Sequence, residues 1–284
     1  MAQLPVDCLN EILEYLEDDK TTLQSCLLVN HLWCEISFRI FWRNGFKFRI
    51  SNFRTLIVCL PNESKEILHK NEIIISTPTS KSPMFNYASF CRVLSLNRVY
   101  YKLEQLLKNQ QTISFQNLSN NTNIVTQEFL SEKDFENFER LQHTIFPLLQ
   151  ILIIKNYLQN YELLTKFLEN NGKNLRELFV NCYVNYSDNT LNLAIAVFCP
   201  NLRKLSVGFK NGELETLKIV FNSCHYLESI KIWCGGEFLS DKEALEACVN
   251  YSQKNFYEII LFYQHYEQSE LLPEELESFF IRWI

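Results

Sequence analysis

Glycine is scarce in this chain. Its six glycines among 284 residues (Gly45, Gly172, Gly208, Gly212, Gly235 and Gly236) are nowhere spaced as a phosphate-cradling or dinucleotide-binding loop. Gly235-Gly236 reads instead as a turn at the end of a strand. The sequence also lacks Gly-x-Ser-x-Gly and His-Glu-x-x-His, which removes the common signatures of serine hydrolases and zinc peptidases. Its acidic pairs, Asp18-Asp19 and Glu274-Glu275, fall at the ends of helical patterns, where carboxylates are solvated. None of the ten cysteines forms Cys-x-x-Cys, and the five histidines (His31, His69, His143, His225 and His265) have no metal-ligand spacing. These absences predict a protein without catalytic residues, cofactor or metal.

Long runs of one character are missing too. There are 27 basic and 33 acidic residues, a formal charge of −6, and no extended basic stretch. Phosphate backbones require concentrated Lys and Arg, so nucleic acid is not an expected partner. No apolar run approaches the length of a membrane span, and Asp7 and Glu11 stand where a signal peptide would need a basic start and an apolar core. The expected setting is intracellular, cytoplasmic or nuclear, with no membrane partner. There the cysteines stay thiols, and the sequons at Asn117 and Asn185 are incidental. With 47% apolar and 21% charged residues the chain has the composition of a folded protein, long enough for one large domain or a small module joined to an elongated one.

Apolar periodicity is plentiful. Pro5 suits the first turn of a helix, with Asp7 and Glu11 at its positive end. Leu9, Ile12, Leu13 and Leu16 then follow at i, i+3, i+4 and i+7. Glu17-Asp18-Asp19-Lys20 ends this helix, and Thr21 or Thr22 can cap the next. Leu23, Cys26, Leu27, Leu28 and Val29 form a second apolar stretch, followed by Trp33, Ile36 and Ile40 at helical spacing. Three short helices within about 40 residues are near the lower size limit for independent folding, so their surplus of apolar surface points to a partner.

The ordered set Leu4-Pro5-x-Asp7-x-Leu9, Ile12-Leu13-x-x-Leu16, Cys26-x-Leu28-Val29-Asn30-x-x-Trp33 and Phe41-Trp42 resembles an F-box. The resemblance covers about one seventh of the chain. It implies docking on a Skp-type adaptor of a cullin ubiquitin ligase, with no chemistry in the box. The residues it places at the adaptor are Leu4, Pro5, Leu9, Ile12, Leu13, Leu16, Leu28, Val29, Trp33 and Trp42.

Farther on, the motif Leu-x-x-Leu-x-(Val/Ile) recurs. It appears as Leu149, Leu152, Ile154; Leu175, Leu178, Val180; Leu202, Leu205, Val207; Leu227, Ile230, Ile232; and, more loosely, Phe256, Ile259, Leu261. The first residues are 26, 27, 25 and 29 positions apart, a period of leucine-rich repeats, in which each strand and return helix buries its apolar face only against its neighbours. Tyr186-Ser187-Asp188, the helical Leu191, Leu193, Ala194 and Val197, and Cys199-Pro200-Asn201-Leu202 resemble the cysteine-containing repeats attached to F-boxes. Cys224, three residues before Leu227, repeats the feature without its proline, and both cysteines read as small buried hydrophobes. Tyr183, Lys210 and Gly235 occupy the usual Cys or Asn position after each strand, so those turns are irregular.

The expected fold is α/β: a three-helix F-box over residues 1–45, degenerate early repeats and loops over 46–145, and a leucine-rich-repeat solenoid over 146–284, its curved parallel sheet backed by outer helices. In the middle region Ile73-Ile74-Ile75 and Val93, Leu94, Leu96 read as strands and Ser76 to Pro83 as a loop. Gln110 to Gln127 reads as a polar insertion around a short strand at Ile113 to Phe115. At the far end a helix starts at Pro273, with Leu276, Phe279, Phe280 and Trp283 on one face. It either covers the last repeat, or the chain stops in mid-solenoid.

Side chains alternate across a strand, so residues between the inward leucines line the concave sheet. The candidates for a protein target there are Lys155, Glu177, Phe179, Asn181, Lys204, Lys231, Trp233 and Phe262. Large aromatics at such positions either anchor an interface or pack on their neighbours. The leading function is a target-recognition subunit of a Skp/cullin/F-box ligase. Two other readings use the same residues: a repeat protein, adaptor-bound or free, with no ligase role, and an enzyme without a recognisable motif.

Overall fold

The structure, a computed structural model, describes residues 4–58, 60, 62–75, 87–109, 118–122, 124–125, 145–154, 161–180, 189–263, 268–269 and 271–283. Its first helices are α1 (Val6–Glu14), α2 (Lys20–Cys26) and α3 (His31–Phe41). Pro5 is the N-cap of α1, and its carbonyl accepts the Leu9 amide at 3.0 Å. The second cap differs from the sequence expectation. Asp19, not Thr21 or Thr22, caps α2, accepting from the Thr22 amide at 3.0 Å and the Thr22 hydroxyl at 2.5 Å. A carboxylate is the stronger acceptor at the positive end of a helix. Asn30 caps α3 by accepting from the Trp33 amide at 3.0 Å. Leu9, Leu13, Leu23, Ile36 and Ile40 are buried where α3 packs on α1 and α2.

Next come α4 (Ile50–Val58) and α5 (Asn62–Lys70). Ile73-Ile74-Ile75 is no strand. The chain leaves α5 through Glu72, at φ 57°, with the Ile73 amide bonded back to the Leu68 carbonyl at 2.9 Å. This closure satisfies the orphan carbonyls of the last helical turn, and Ile73 enters the core as its hydrophobic seal while Ile74 stays exposed. The expected loop at 76–83 and strand at 113–115 lie outside the described residues, and residues 118–122 and 124–125 are helical.

The repeat array follows as β1 (Val93–Ser95), α6 (Leu96–Lys108), β2 (Ile151–Ile154), α7 (Tyr161–Asn171), β3 (Glu177–Val180), α8 (Asn189–Phe198), β4 (Lys204–Gly208), α9 (Leu214–Ser223), β5 (Ser229–Cys234), α10 (Asp241–Tyr251), β6 (Glu258–Tyr263) and α11 (Pro273–Trp283). The six strands form one parallel sheet in sequence order. Register follows the motif, with Leu152, Leu178, Leu205, Ile230 and Ile259 in one row. The first four are buried beneath helices α7 to α10, which stack on one another in the same order. This is a leucine-rich-repeat-like α/β solenoid behind a helical N-terminus.

Bonds between repeats lock that register. Asn174 and Asn201, each just before a strand-opening leucine, donate Nδ2 to the carbonyls of Pro147 (3.0 Å) and Lys173 (2.8 Å) in the preceding repeat. Buried Asn171 accepts the Phe146 amide at 2.7 Å and donates to the Phe167 carbonyl at 3.1 Å. Cys224 lies over the Cys199 carbonyl, with Sγ 3.5 Å from it, and burial pushes both thiols up in pKa.

The N-terminal helices are built into this array. The Arg43 carbonyl accepts from Arg92 (2.7 Å) and Val93 (3.2 Å), just as the Arg92 carbonyl accepts from Gln150 and Ile151 and the Arg176 carbonyl from Arg203 and Lys204. Asn44 forms a parallel bridge with Val93, so the segment after α3 acts as a rudimentary first rung of the sheet. One apolar cluster runs without a break from Leu9 to Phe256. At the other end, α11 packs beside α10 through buried Phe279 and half-buried Trp283, whose ring lies 5.8 Å from that of Phe256, while Leu276 and Phe280 remain exposed.

Candidate functional site

Helix geometry divides the ten box candidates into two groups. At 100° per residue, Cys8, Ile12 and Tyr15 point to one side of α1, whereas Leu9, Leu13 and Leu16 point to another. Leu9 and Leu13 are fully buried and Leu16 partly so, which makes them the core of the box and not its surface. Trp42 is also internal. Its ring sits 4.6 Å from Tyr87, 5.1 Å from Phe48 and 5.6 Å from Phe41, filling the seam between α3 and the segment after it. Trp33 is half-buried at the start of α3. The residues left open to a partner are Leu4, Pro5, Ile12, Leu28 and Val29.

Three further residues join them. Tyr15 is 92% exposed, and Val6 and Cys8 are exposed on α1. Tyr15 and Cys8 were legible from their three- and four-residue spacing to Ile12. A motif-based reading selects hydrophobic positions without asking which way they face. Charge pairs on another side of the box hold its frame. Arg43 binds Glu14 at 2.9 Å and Glu17 at 3.7 Å, holding the Glu14 carboxyl below its ordinary pKa, and Lys47 pairs with Asp18. Lys20 donates to the Phe41 carbonyl at 2.9 Å and lies 5.1 Å above the Phe41 ring; burial brings its pKa down to about 8.

On the concave sheet, β3 presents Glu177 and Phe179, β4 presents Lys204, β5 presents Lys231 and β6 presents Phe262, all half-exposed. Lys204 reaches Glu177 across the strands at 3.6 Å. Lys231 places its ammonium 4.1 Å from the Phe262 ring centre and 5.8 Å from that of Trp233, so the cation is already engaged with aromatic faces. Lys155 and Asn181 lie outside the described residues.

Trp233 does not line the open face. It is 2% exposed, walled by Phe262 at 4.6 Å and Phe238 at 6.3 Å. Phe238 arrives on the loop turned by Gly235 and Gly236, at φ 83° and 62°, and pinned by the Leu239 amide on the Phe209 carbonyl at 3.0 Å. Strand phase alone could not show this, because the covering residue comes from a loop.

Among the described residues no group of three His, Cys, Asp or Glu side chains could hold a metal ion, and no helix is long and apolar enough to cross a membrane. The arrangement offers two surfaces suited to protein contact: an apolar face on the N-terminal helices and a mixed aromatic and charged face on the sheet.

Comparison with known proteins agrees with the first of these. Residues 1–47 match the family described as F-box-like. No curated protein matches the chain. Among solved structures, the leucine-rich repeat-containing protein LegL7 from Legionella pneumophila is similar over 78% of this chain and 76% of that one, with 14% identity and a TM-score of 0.34. An F-box-like domain thus precedes a parallel repeat solenoid in which strands β2 to β6 follow the sequence period and β1 stands outside it.

Proposed function

We propose that this chain is the target-recognition subunit of a Skp/cullin/F-box ubiquitin ligase. Its F-box-like helices dock a Skp-type adaptor and, through it, a cullin, while the repeats hold a protein target. The exposure of Ile12 and Tyr15 at α1 and of Leu28 and Val29 in the turn before α3, all within the F-box-like residues, carries the reading, because several large apolar side chains in water on one small module suit burial by a partner. The subunit would act without catalytic groups of its own. Tethering raises the target's effective concentration near the charged conjugating enzyme and turns a bimolecular encounter into a local one.

The repeats belong to the cysteine-containing subtype in this reading, supported by the stacking of Cys199 and Cys224 at equivalent positions before successive strands. An intracellular, reducing location fits such buried thiols. The test is coexpression with a Skp-type adaptor and cullin, comparing wild type with Ile12→Asp and Leu28→Asp. Wild type should be captured with both partners and the variants with neither. Failure of folded wild type to capture the adaptor overturns the proposal, and adaptor capture without cullin overturns the ligase role.

A further inference from the structure

The sheet has a second surface, at the edge where the strands begin. Four residues of the carbonyl ladder that precedes the strands are arginines: Arg43, Arg92, Arg176 and Arg203. Adjacent rungs of a parallel sheet are only about 4.8 Å apart, so this edge concentrates positive charge on a chain whose formal charge is −6. The two ends of the row already have carboxylate partners. Arg43 meets Glu14 and Glu17, and Arg203 meets Glu228 at 3.2 Å. Between them, Arg176 and neighbouring Lys173 have no carboxylate within ion-pair distance among the described residues.

Those two cations border a groove of about 380 Å³. Its remaining walls include Leu148 and Tyr226, which are 43% and 57% exposed. The Asn174 and Asn201 side chains, bonded to the carbonyls of Pro147 and Lys173, fix the backbone around it. Arg203 shows what this edge accepts, since Glu228 of the next rung supplies it with a carboxylate. The groove thus pairs an apolar wall with two cations that have no carboxylate partner among the described residues.

We propose that this groove binds an acidic peptide segment of the protein target, its carboxylates on Arg176 and Lys173 and an adjoining apolar side chain against Leu148 and Tyr226. The site is separate from the concave face, and it rests on the proposed function only in assigning the peptide to the target. Binding should weaken with salt, because exposed charges are screened within about 8 Å at physiological ionic strength.

The test titrates the full chain, copurified with adaptor where needed, into a fluorescein-labelled peptide of Glu and Asp flanking one Leu. The control peptide carries Gln and Asn in their place. Expected are binding of the acidic peptide alone, at least a tenfold loss with Arg176→Glu or Lys173→Glu, and little change with Lys254→Glu, an exposed cation outside the groove. Both cations are exposed, so reversal should leave the fold intact, as a thermal melt verifies. Equal binding by Arg176→Glu, an equal loss in Lys254→Glu, or no binding by folded wild type overturns the proposal. Adaptor capture, read separately, reports on the ligase function alone.

Discussion

Phe238 lies directly on Gly208. A Cβ added at Gly208 would come within 2.5 Å of Phe238 Cε1 and 3.0 Å of its Cδ1. The missing side chain on β4 is what lets the loop after β5 close over Trp233. Gly208→Ala should therefore lift Phe238 and wet the indole. We expect a red shift of tryptophan emission and a stability loss of about 1–3 kcal/mol, the usual range for overpacking a filled site. Unchanged emission and stability would show that the loop yields without cost.

The split between the inner and outer faces of α1 has a direct consequence for stability. Leu13→Ala removes a fully buried side chain and should cost about 2–5 kcal/mol, whereas Ile12→Ala should stay within about 0.5 kcal/mol. Chemical denaturation of both variants checks this. Comparable losses would mean that Ile12 is part of the core.

Cys8 offers a probe of docking that needs no substitution. Its thiol is exposed on the same side of α1 as Ile12 and Tyr15. Alkylation of Cys8, followed by mass spectrometry of the digested protein, should be fast in the isolated chain and slowed severalfold in the adaptor complex. Equal rates would move the adaptor off this side of the helix.

Alkaline pH should destabilise the fold. Burial pushes the thiols of Cys91, Cys224 and Cys234 up to about 12, against an ordinary value of 9.0. Above pH 9 the unfolded chain releases these protons and the native chain keeps them, so the stability conferred by burying neutral thiols is present below pH 9 and lost as pH rises toward 12. Lys20 acts in the opposite sense, since its depressed native value makes the unfolded chain the better proton acceptor between about pH 8 and 10.5. Three thiols outweigh one partly exposed lysine. Melting temperature should fall above pH 9, and Cys224→Ala should shallow the fall; a flat profile to pH 11 contradicts it.

Repeat strands were legible because their signal is local and periodic. Leu178, Leu205 and Ile230 recur at the spacing that one turn of a solenoid imposes, and each buries its side chain against the next. The box helices were legible for the same reason. Ile73 misled because three successive β-branched residues look like a strand, while helix closure at Glu72 depends on backbone conformation. Trp233 misled because its partner in space, Phe238, comes from a loop whose path is fixed by Gly235 and Gly236.

By itself, then, the sequence determined the F-box-like N-terminus and the repeat period, since both are written in the spacing of neighbouring residues along helix and strand. Tertiary structure alone decided that Arg43 and Asn44 dock the box onto β1, that Leu13 and Trp42 face inward while Tyr15 faces out, and that Lys173 and Arg176 meet at one edge. Those outcomes depend on contacts between residues far apart in the chain, and no local periodicity encodes them.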